Sequence, residues 1–316
     1  PLFRTETDMY TRVLPEMQRL LEKLGDRDIL TPKMIYSDAD PDIIILEDIA
    51  HQGYVMRHQT LHLENTKKVV LKLAKFHALS YYMYHEEKKE LDDFKFGLIT
   101  TATMQTMEFF AEGFKRAVEC AKEWDGYAEI AVQMEKFAPH LLRKIREVYI
   151  VDKSEKAFNV LNHGDFHLKN LLFINNGDDI EKISFIDFQI SVWATPAIDL
   201  NYVLYCNASA ETRDNHRGEL IRLYHSTFCT ILEELGCLKT PPSLLDLNIE
   251  MMKYGKIEII LACQFMAMFY MNFESIPKEY LENIDLLGRW MYMESGMRPI
   301  LEKAFVDFYH KGYFEV

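Results

Sequence analysis

The stretch LNHGDFHLKNLLF, residues 161–173, sets two histidines, one aspartate and one asparagine among apolar neighbours. Two chemistries suit these residue types. On a strand, His163, Asp165 and His167 alternate onto one face and would offer an N, O, N ligand set to zinc. Asp165 and Asn170 belong to a different set when Asp187 is added. Three oxygen donors of this kind suit Mg²⁺, which takes one or two carboxylates beside water and phosphate oxygens. Zinc would leave Asn170 and Asp187 without a purpose.

The elements around these residues decide whether they can meet. FNVLNH reads as strand, LLFI (171–174) and ISFI (183–186) are short apolar runs, and NNGDD (175–179) supplies turn chemistry between them. A hairpin brings its ends together, so Asp165 and Asn170 at its entrance can face Asp187 at its exit. Helical spacing dominates elsewhere: residues 2–24, as one helix or two kinked at Pro15, then 63–85, 102–122, 126–149, 213–236, 245–273 and 277–310. Two further strands, near 33–36 and 43–47, read as a hairpin around Pro41.

Composition narrows the partners. The chain of 316 residues is 48% hydrophobic, enough for a core, and carries 36 basic against 49 acidic side chains, a net charge of −13. That sign opposes nucleic acid, whose binding rests on neutralising phosphates. Five cysteines without a CxxC pair suggest neither a disulfide framework nor a thiolate zinc site, and point to a reducing, cytoplasmic setting. The apolar run EIILACQFMAMFYM is bounded by charges and too short for a membrane span, so it is expected to be a buried helix. Its methionines, with those of MMKY, are core filler or the wall of an apolar acceptor pocket. His77, on an apolar helix, reads as a structural histidine. Oligomeric state is left open.

The spacing from Asp165 to Asn170 is D-x-x-x-x-N, that of the kinase catalytic loop, and IDF at 186–188 stands where a D-F-G metal site follows it. Asp165 would then accept or orient the proton of a substrate hydroxyl, while Asn170 and Asp187 hold Mg²⁺ and His163 packs under the loop. Asp199, in PAIDL, either favours the first turn of a helix or bonds back to the loop backbone. HGDFHLKN, FIDFQ and PAIDLNYVLY together resemble the ecdysteroid kinase-like (CHK kinase-like) family of insects, within the choline kinase and aminoglycoside phosphotransferase group. FRTETDMYTRVLP is similar to that family's helix with a paired Glu, IIILEDI to its interlobe hinge, and VVLKLAKFHALSYY to a helix of its C-lobe.

The resemblance implies an α+β, protein-kinase-like, bilobal fold: residues 1–50 as the remnant of an incomplete N-lobe, and 51–316 as a predominantly helical C-lobe. It implies ATP as phosphoryl donor, Mg²⁺ as cofactor, and a small-molecule hydroxyl acceptor, an ecdysteroid or another apolar alcohol. Glu6 becomes the helix Glu that pairs with a phosphate-binding Lys, and the Glu47 carbonyl and Ile49 amide become the adenine contacts. His167 stands where many relatives have Trp, Lys169 where they have a second Asn, and Gln189 replaces the Gly of D-F-G. Only five residues precede Glu6, and neither GxGxxG nor a Walker-type motif occurs. A fragment or an inactive kinase-like chain serving as a small-molecule binding module is therefore the alternative expectation.

Overall fold

The computed structural model describes residues 2–99, 107–154, 156–266, 276–281, 283–293 and 296–316. Helix α1 (Leu2–Asp8) passes through a wide π turn, Met9–Val13, into α2 (Leu14–Lys23). The widening sits where Pro15 has no N–H to give the preceding turn, which settles the kink at that place. Met9, Val13, Met17, Leu20 and Leu21 recur at helical spacing and are all buried. Strands β1 (Met34–Ala39) and β2 (Asp42–Leu46) follow as an antiparallel hairpin with a bulge between Met34 and Tyr36.

Helix α3 (Leu63–His85) runs through the core and packs along the long helix Ala210–Leu235. Val69, Leu73, Phe76 and Leu79 are buried along it, and so is Lys72. The ammonium of Lys72 donates to Asp28 Oδ2 (2.8 Å), the Ile29 carbonyl (2.5 Å) and the Ile183 carbonyl (2.5 Å). One side chain thereby ties the connection after α2 to the hairpin that frames the site. Such burial is tolerated because all three donors of the ammonium are used.

Among the described residues, seven strands form three small sheets. Val55–Met56 (β3) pairs with β5 (Leu171–Asn176), β5 with β6 (Asp179–Phe185), and β4 (Val160–Asn162) with β7 (Val192–Ala194). The β5–β6 strands are longer than the apolar runs suggest, because Asn175, Asn176 and Asp179 pair as strand and leave Gly177 and Asp178 as the turn. Gly177 takes the positive φ (+60°) that a two-residue hairpin turn requires.

Several expected helices are divided. The 126–149 stretch becomes Ala128–Phe137, a 3₁₀ turn at Ala138–His140 and Leu141–Arg146, since Pro139 cannot continue the hydrogen-bond ladder. The 245–273 stretch breaks after Leu244–Lys253 at Gly255, where an added Cβ would lie 1.8 Å from the Tyr313 hydroxyl oxygen. It resumes at Ile257–Ile260 and a π turn, Leu261–Phe265, with Ile259, Leu261 and Cys263 wholly buried. The rest of the methionine-rich run, 267–275, and the start of the expected 102–122 helix lie outside the described residues; Glu108–Ala121 is its described helix. The 277–310 stretch divides into Lys278–Leu281, Ile284–Met293 and Arg298–His310. No helix among the described residues is long and apolar enough to cross a membrane.

The architecture is α+β, with one interrupted helix and one hairpin followed by a predominantly helical remainder that holds the other small sheets. A single apolar cluster contains Met9 and Leu21 from the first helices together with Phe76, Phe185 and Phe308. The two parts therefore share one core.

Candidate active site

The loop from β4 to β5 is held from beneath. Asn162, fully buried at the end of β4, donates to the carbonyls of Val160 (3.3 Å), Val192 (3.3 Å) and Ala194 (3.2 Å), locking β4 against β7. The chain then reverses at Gly164, whose φ is +86°. An added Cβ there would stand 2.2 Å from the Ile190 carbonyl oxygen, so both the backbone angle and the space demand glycine. The carboxylate of Asp199 accepts from the amides of His163 (2.6 Å) and Gly164 (3.0 Å). Of its two readings from sequence, the bond to the loop backbone is the one made.

Asp199 is oriented in turn by His77, the buried histidine of α3, at 3.1 Å from Nε2. Because a carboxylate only accepts, Nε2 carries the proton, and His77 Nδ1 accepts from the Tyr224 hydroxyl at 2.8 Å. Burial pushes the His77 pKa down, with Asp199 pulling the other way, which keeps the ring neutral. His77 is a satisfied core histidine.

His163 does not turn toward Asp165 and His167 as a zinc-binding face would require. Its Nε2 donates to the Ile186 carbonyl (2.9 Å), its Nδ1 faces the Asp165 amide (3.4 Å), and its ring lies 4.7 Å from that of Phe188. Both ring nitrogens are committed to backbone. Among the described residues no group of three His, Cys, Asp or Glu side chains has the arrangement of a metal centre.

Asp165, Asn170 and Asp187 converge through backbone closure. The His167 amide donates to the Asp165 carbonyl (2.8 Å), the Asn170 amide to the His167 carbonyl (2.9 Å), and the Ile186 amide to the Asn170 carbonyl (3.1 Å). The last bond brings the hairpin exit onto its entrance. The Asn170 side-chain amide donates to the Asp165 carbonyl (3.0 Å) and to Asp165 Oδ2 (3.3 Å), so its own oxygen is turned the other way. His167 Nε2 lies 3.4 Å from Asp165 Oδ2. Burial raises the Asp165 carboxyl, but His167, His163 and Asn170 outweigh it and hold the group below its ordinary range.

Asp187 is strained and crowded. Its φ is +66°, uncommon for a residue with a Cβ. Burial raises its pKa first, and Asp165 raises it further against the pull of His163. Glu6 on α1 stands beside it: burial and then Asp187 raise the Glu6 carboxyl, while the Phe188 amide lowers it. Phe188 fixes that approach, packing edge-on against Tyr10 at 5.6 Å and beneath Phe76 at 6.1 Å. Glu6 meets no lysine or arginine within ion-pair distance among the described residues. The site thus gathers three carboxylates, and burial together with the charge of a neighbour raises two of them, Glu6 and Asp187.

The hinge candidates, Glu47 and Ile49, lie between β2 and the 3₁₀ turn Ala50–Gln52. The Glu47 amide donates to the Lys33 carbonyl (2.8 Å), its carboxylate accepts from Gln52 Nε2 (3.1 Å), and Ile49 is buried. The Glu47 carbonyl and the Ile49 amide have no hydrogen-bond partner among the described residues. Sequence reasoning missed the buried asparagines: besides Asn162, Asn207 donates to the carbonyls of Phe166 (2.7 Å) and Tyr202 (3.3 Å). The one available signal was an amide inside each apolar run, at VLN and LYCN.

Among solved structures, the chain is similar to an ethanolamine kinase from Plasmodium vivax, at 14% identity over 94% of this chain and 73% of that one, with a TM-score of 0.39. It is also similar to an ADP-bound aminoglycoside phosphotransferase, at 14% identity over 90% of this chain and 81% of that one, with a TM-score of 0.34. A further aminoglycoside phosphotransferase, from Alicyclobacillus acidocaldarius, is 12% identical over 96% of this chain and 83% of that one, with a TM-score of 0.36. No curated protein sequence matches it. The family model described as ecdysteroid kinase-like matches residues 1–237, a span that holds Glu6, Glu47, Ile49, the HGDFHLKN loop, Asp187 and Asp199. The chain belongs to the ecdysteroid kinase-like family.

Proposed function

We propose that this chain is an ATP- and Mg²⁺-dependent phosphotransferase that acts on the hydroxyl of a small apolar alcohol such as a steroid. The observation that carries the proposal is the convergence of Asp165, Asn170 and Asp187, with Glu6 beside them, on one loop and hairpin. The residues fit the metal. Two raised carboxylates and an outward amide oxygen make a site short of positive charge, and two protein oxygens suffice for an ion that keeps waters and phosphate oxygens as its other ligands. Asn170 Oδ1 and the Asp187 carboxylate would hold it. When bound, Mg²⁺·ATP supplies the phosphoryl group and the charge that offsets its transfer.

The chain's own residues do the positioning. Asp165 accepts the proton of the acceptor hydroxyl, and its lowered pKa keeps it ionised for that task at neutral pH. His163, Asp199 and His77 hold the loop so that Asp165 does not turn away. Glu47 and Ile49 offer a free carbonyl and a free amide, the pair an adenine edge requires. The wall beyond His167 is aromatic: its ring is 6.4 Å from that of Phe265, which meets Tyr202 edge-on at 5.5 Å. Such a wall suits an apolar acceptor. Both partners are small molecules.

Asp165→Asn tests the assignment. Phosphoryl transfer to a panel of sterol and simpler alcohols should vanish while calorimetric Mg²⁺·ATP affinity stays within about threefold of the parent, because Asp165 touches the acceptor rather than the nucleotide. Full turnover by the variant would remove Asp165 from the mechanism. An inactive kinase-like binding module is favoured by one observation, the absence of a lysine beside Glu6 among the described residues. Alcohol binding without any effect of Mg²⁺·ATP would establish that second case.

A further inference from the structure

Asp165 uses only one of its carboxylate oxygens within the loop. Oδ2 receives Asn170 and faces His167, whereas Oδ1 is buried and has no hydrogen-bond partner among the described residues. Leaving a buried carboxylate oxygen unmet is costly, so something should be placed to donate to it. Two side chains nearby have the same deficit with the opposite sense. The hydroxyls of Tyr149 and Tyr202 are buried and also without a partner.

Their placement is built. Tyr202 closes the helix Ala197–Tyr202, which Asp199 fastens to His163 and Gly164, and the Asn207 amide spans the carbonyls of Tyr202 and Phe166, the residue after Asp165. Tyr149 ends the 3₁₀ turn Glu147–Tyr149, and its ring occupies the space of a side chain at Gly97, where an added Cβ would meet Tyr149 Cδ1 at 2.3 Å. Neither ring can swing freely. After burial, Asp165 is the charge that acts most strongly on both phenols, and Tyr149 is felt at Tyr202 as well, so the three form one neighbourhood. Both phenols stay protonated, as donors.

We propose that Tyr149 and Tyr202 are positioning residues for Asp165, their hydroxyls converging with Asp165 Oδ1 on a site for one hydroxyl-type oxygen. Two donors and one charged acceptor are the partners such an oxygen takes. It is either a resident water, which passes the tyrosine hydrogen bonds on to the carboxylate, or the reacting hydroxyl of the acceptor itself. With a water, the tyrosines brace Asp165 on its buried side and leave it to work at the acceptor; with the acceptor, they hold its hydroxyl against Asp165 Oδ1. The role within catalysis rests on the phosphotransferase proposal; the hydrogen-bonded site does not.

Two experiments on the full chain separate those claims. In the first, Tyr202→Phe, Tyr149→Phe and the double variant are assayed beside the parent. A resident water predicts kcat lowered by about tenfold in each single variant with KM for alcohol and nucleotide unchanged; the acceptor hydroxyl predicts a matching rise in KM for the alcohol alone. Either result supports the proposal, and single variants with parental kcat and KM overturn it. The second experiment needs no activity: a double-mutant cycle of Tyr202→Phe with Asp165→Asn, read in urea unfolding. Coupling should change the unfolding constant by at least about threefold, and additive effects overturn the shared site. If the parent neither transfers phosphate nor binds Mg²⁺·ATP, the phosphotransferase proposal fails, while the cycle still decides this one.

Discussion

The carboxylate of Asp199 accepts from the amide of Gly164 at 3.0 Å, joining a helix start to the loop reversal where Gly164 takes a φ of +86°. The same carboxylate also receives the His163 amide and His77. An amide in its place has only one acceptor oxygen and turns an NH₂ toward a donor. Asp199→Asn should therefore lower stability by about 2–4 kcal/mol in urea unfolding and reduce transfer by more than about tenfold. A loss confined to activity, with parental stability, would show that Asp199 does not brace the loop.

Gly164 and Gly177 both have positive φ, yet only Gly164 faces backbone. Gly164→Ala must displace the Ile190 carbonyl, so a destabilisation above about 2 kcal/mol and loss of Mg²⁺·ATP binding are expected. Gly177→Ala, with open space around it, should cost about 1 kcal/mol and leave binding intact. Equal effects of the two changes would mean that the close approach at Ile190 is immaterial.

Asp187→Asn removes a charge that burial and Asp165 both disfavour. The thermal midpoint at neutral pH should hold or rise slightly, while the Mg²⁺-dependent part of ATP affinity falls by at least about tenfold. If calorimetry finds the same Mg²⁺ dependence in the variant, Asp187 is not a metal holder.

Lys72 sets a pH dependence of folding. Burial lowers its pKa to about 8, against the pull of Asp28, from an ordinary value of 10.5. A depressed folded value means that the unfolded chain binds more protons between those limits, so the contribution is present above the unfolded pKa and lost as pH falls through about 8. Relative to Lys72→Met, the parent should gain about 2–3 kcal/mol in unfolding free energy between pH 7 and pH 10, the buried tyrosines cancelling in the comparison. A constant difference across that range would place Lys72 in a more hydrated setting.

The sequence by itself determined which residues stand at the two ends of one hairpin and much of the framework around them. The D-x-x-x-x-N spacing, the apolar runs on either side of an Asn-Asn-Gly turn, and IDF after them are local facts, and local spacing fixes which residues a hairpin can bring together. Helix α3 was legible over Leu63–His85 because 23 residues of periodic apolar positions leave little choice of conformation. Helix ends were less so: one helix breaks at Gly255, where Tyr313, a residue 58 positions on, leaves no room for a Cβ. Only the tertiary structure decided what Asp199 and His77 do, since a carboxylate at a helix start and a histidine on an apolar face have several possible partners until the two meet behind the loop. It also decided against zinc, by committing both nitrogens of His163 to backbone. The unmet oxygens of Asp165, Tyr149 and Tyr202 belong to that second class. A missing partner leaves no mark on spacing, and is visible only when burial has removed the water that would otherwise have supplied it.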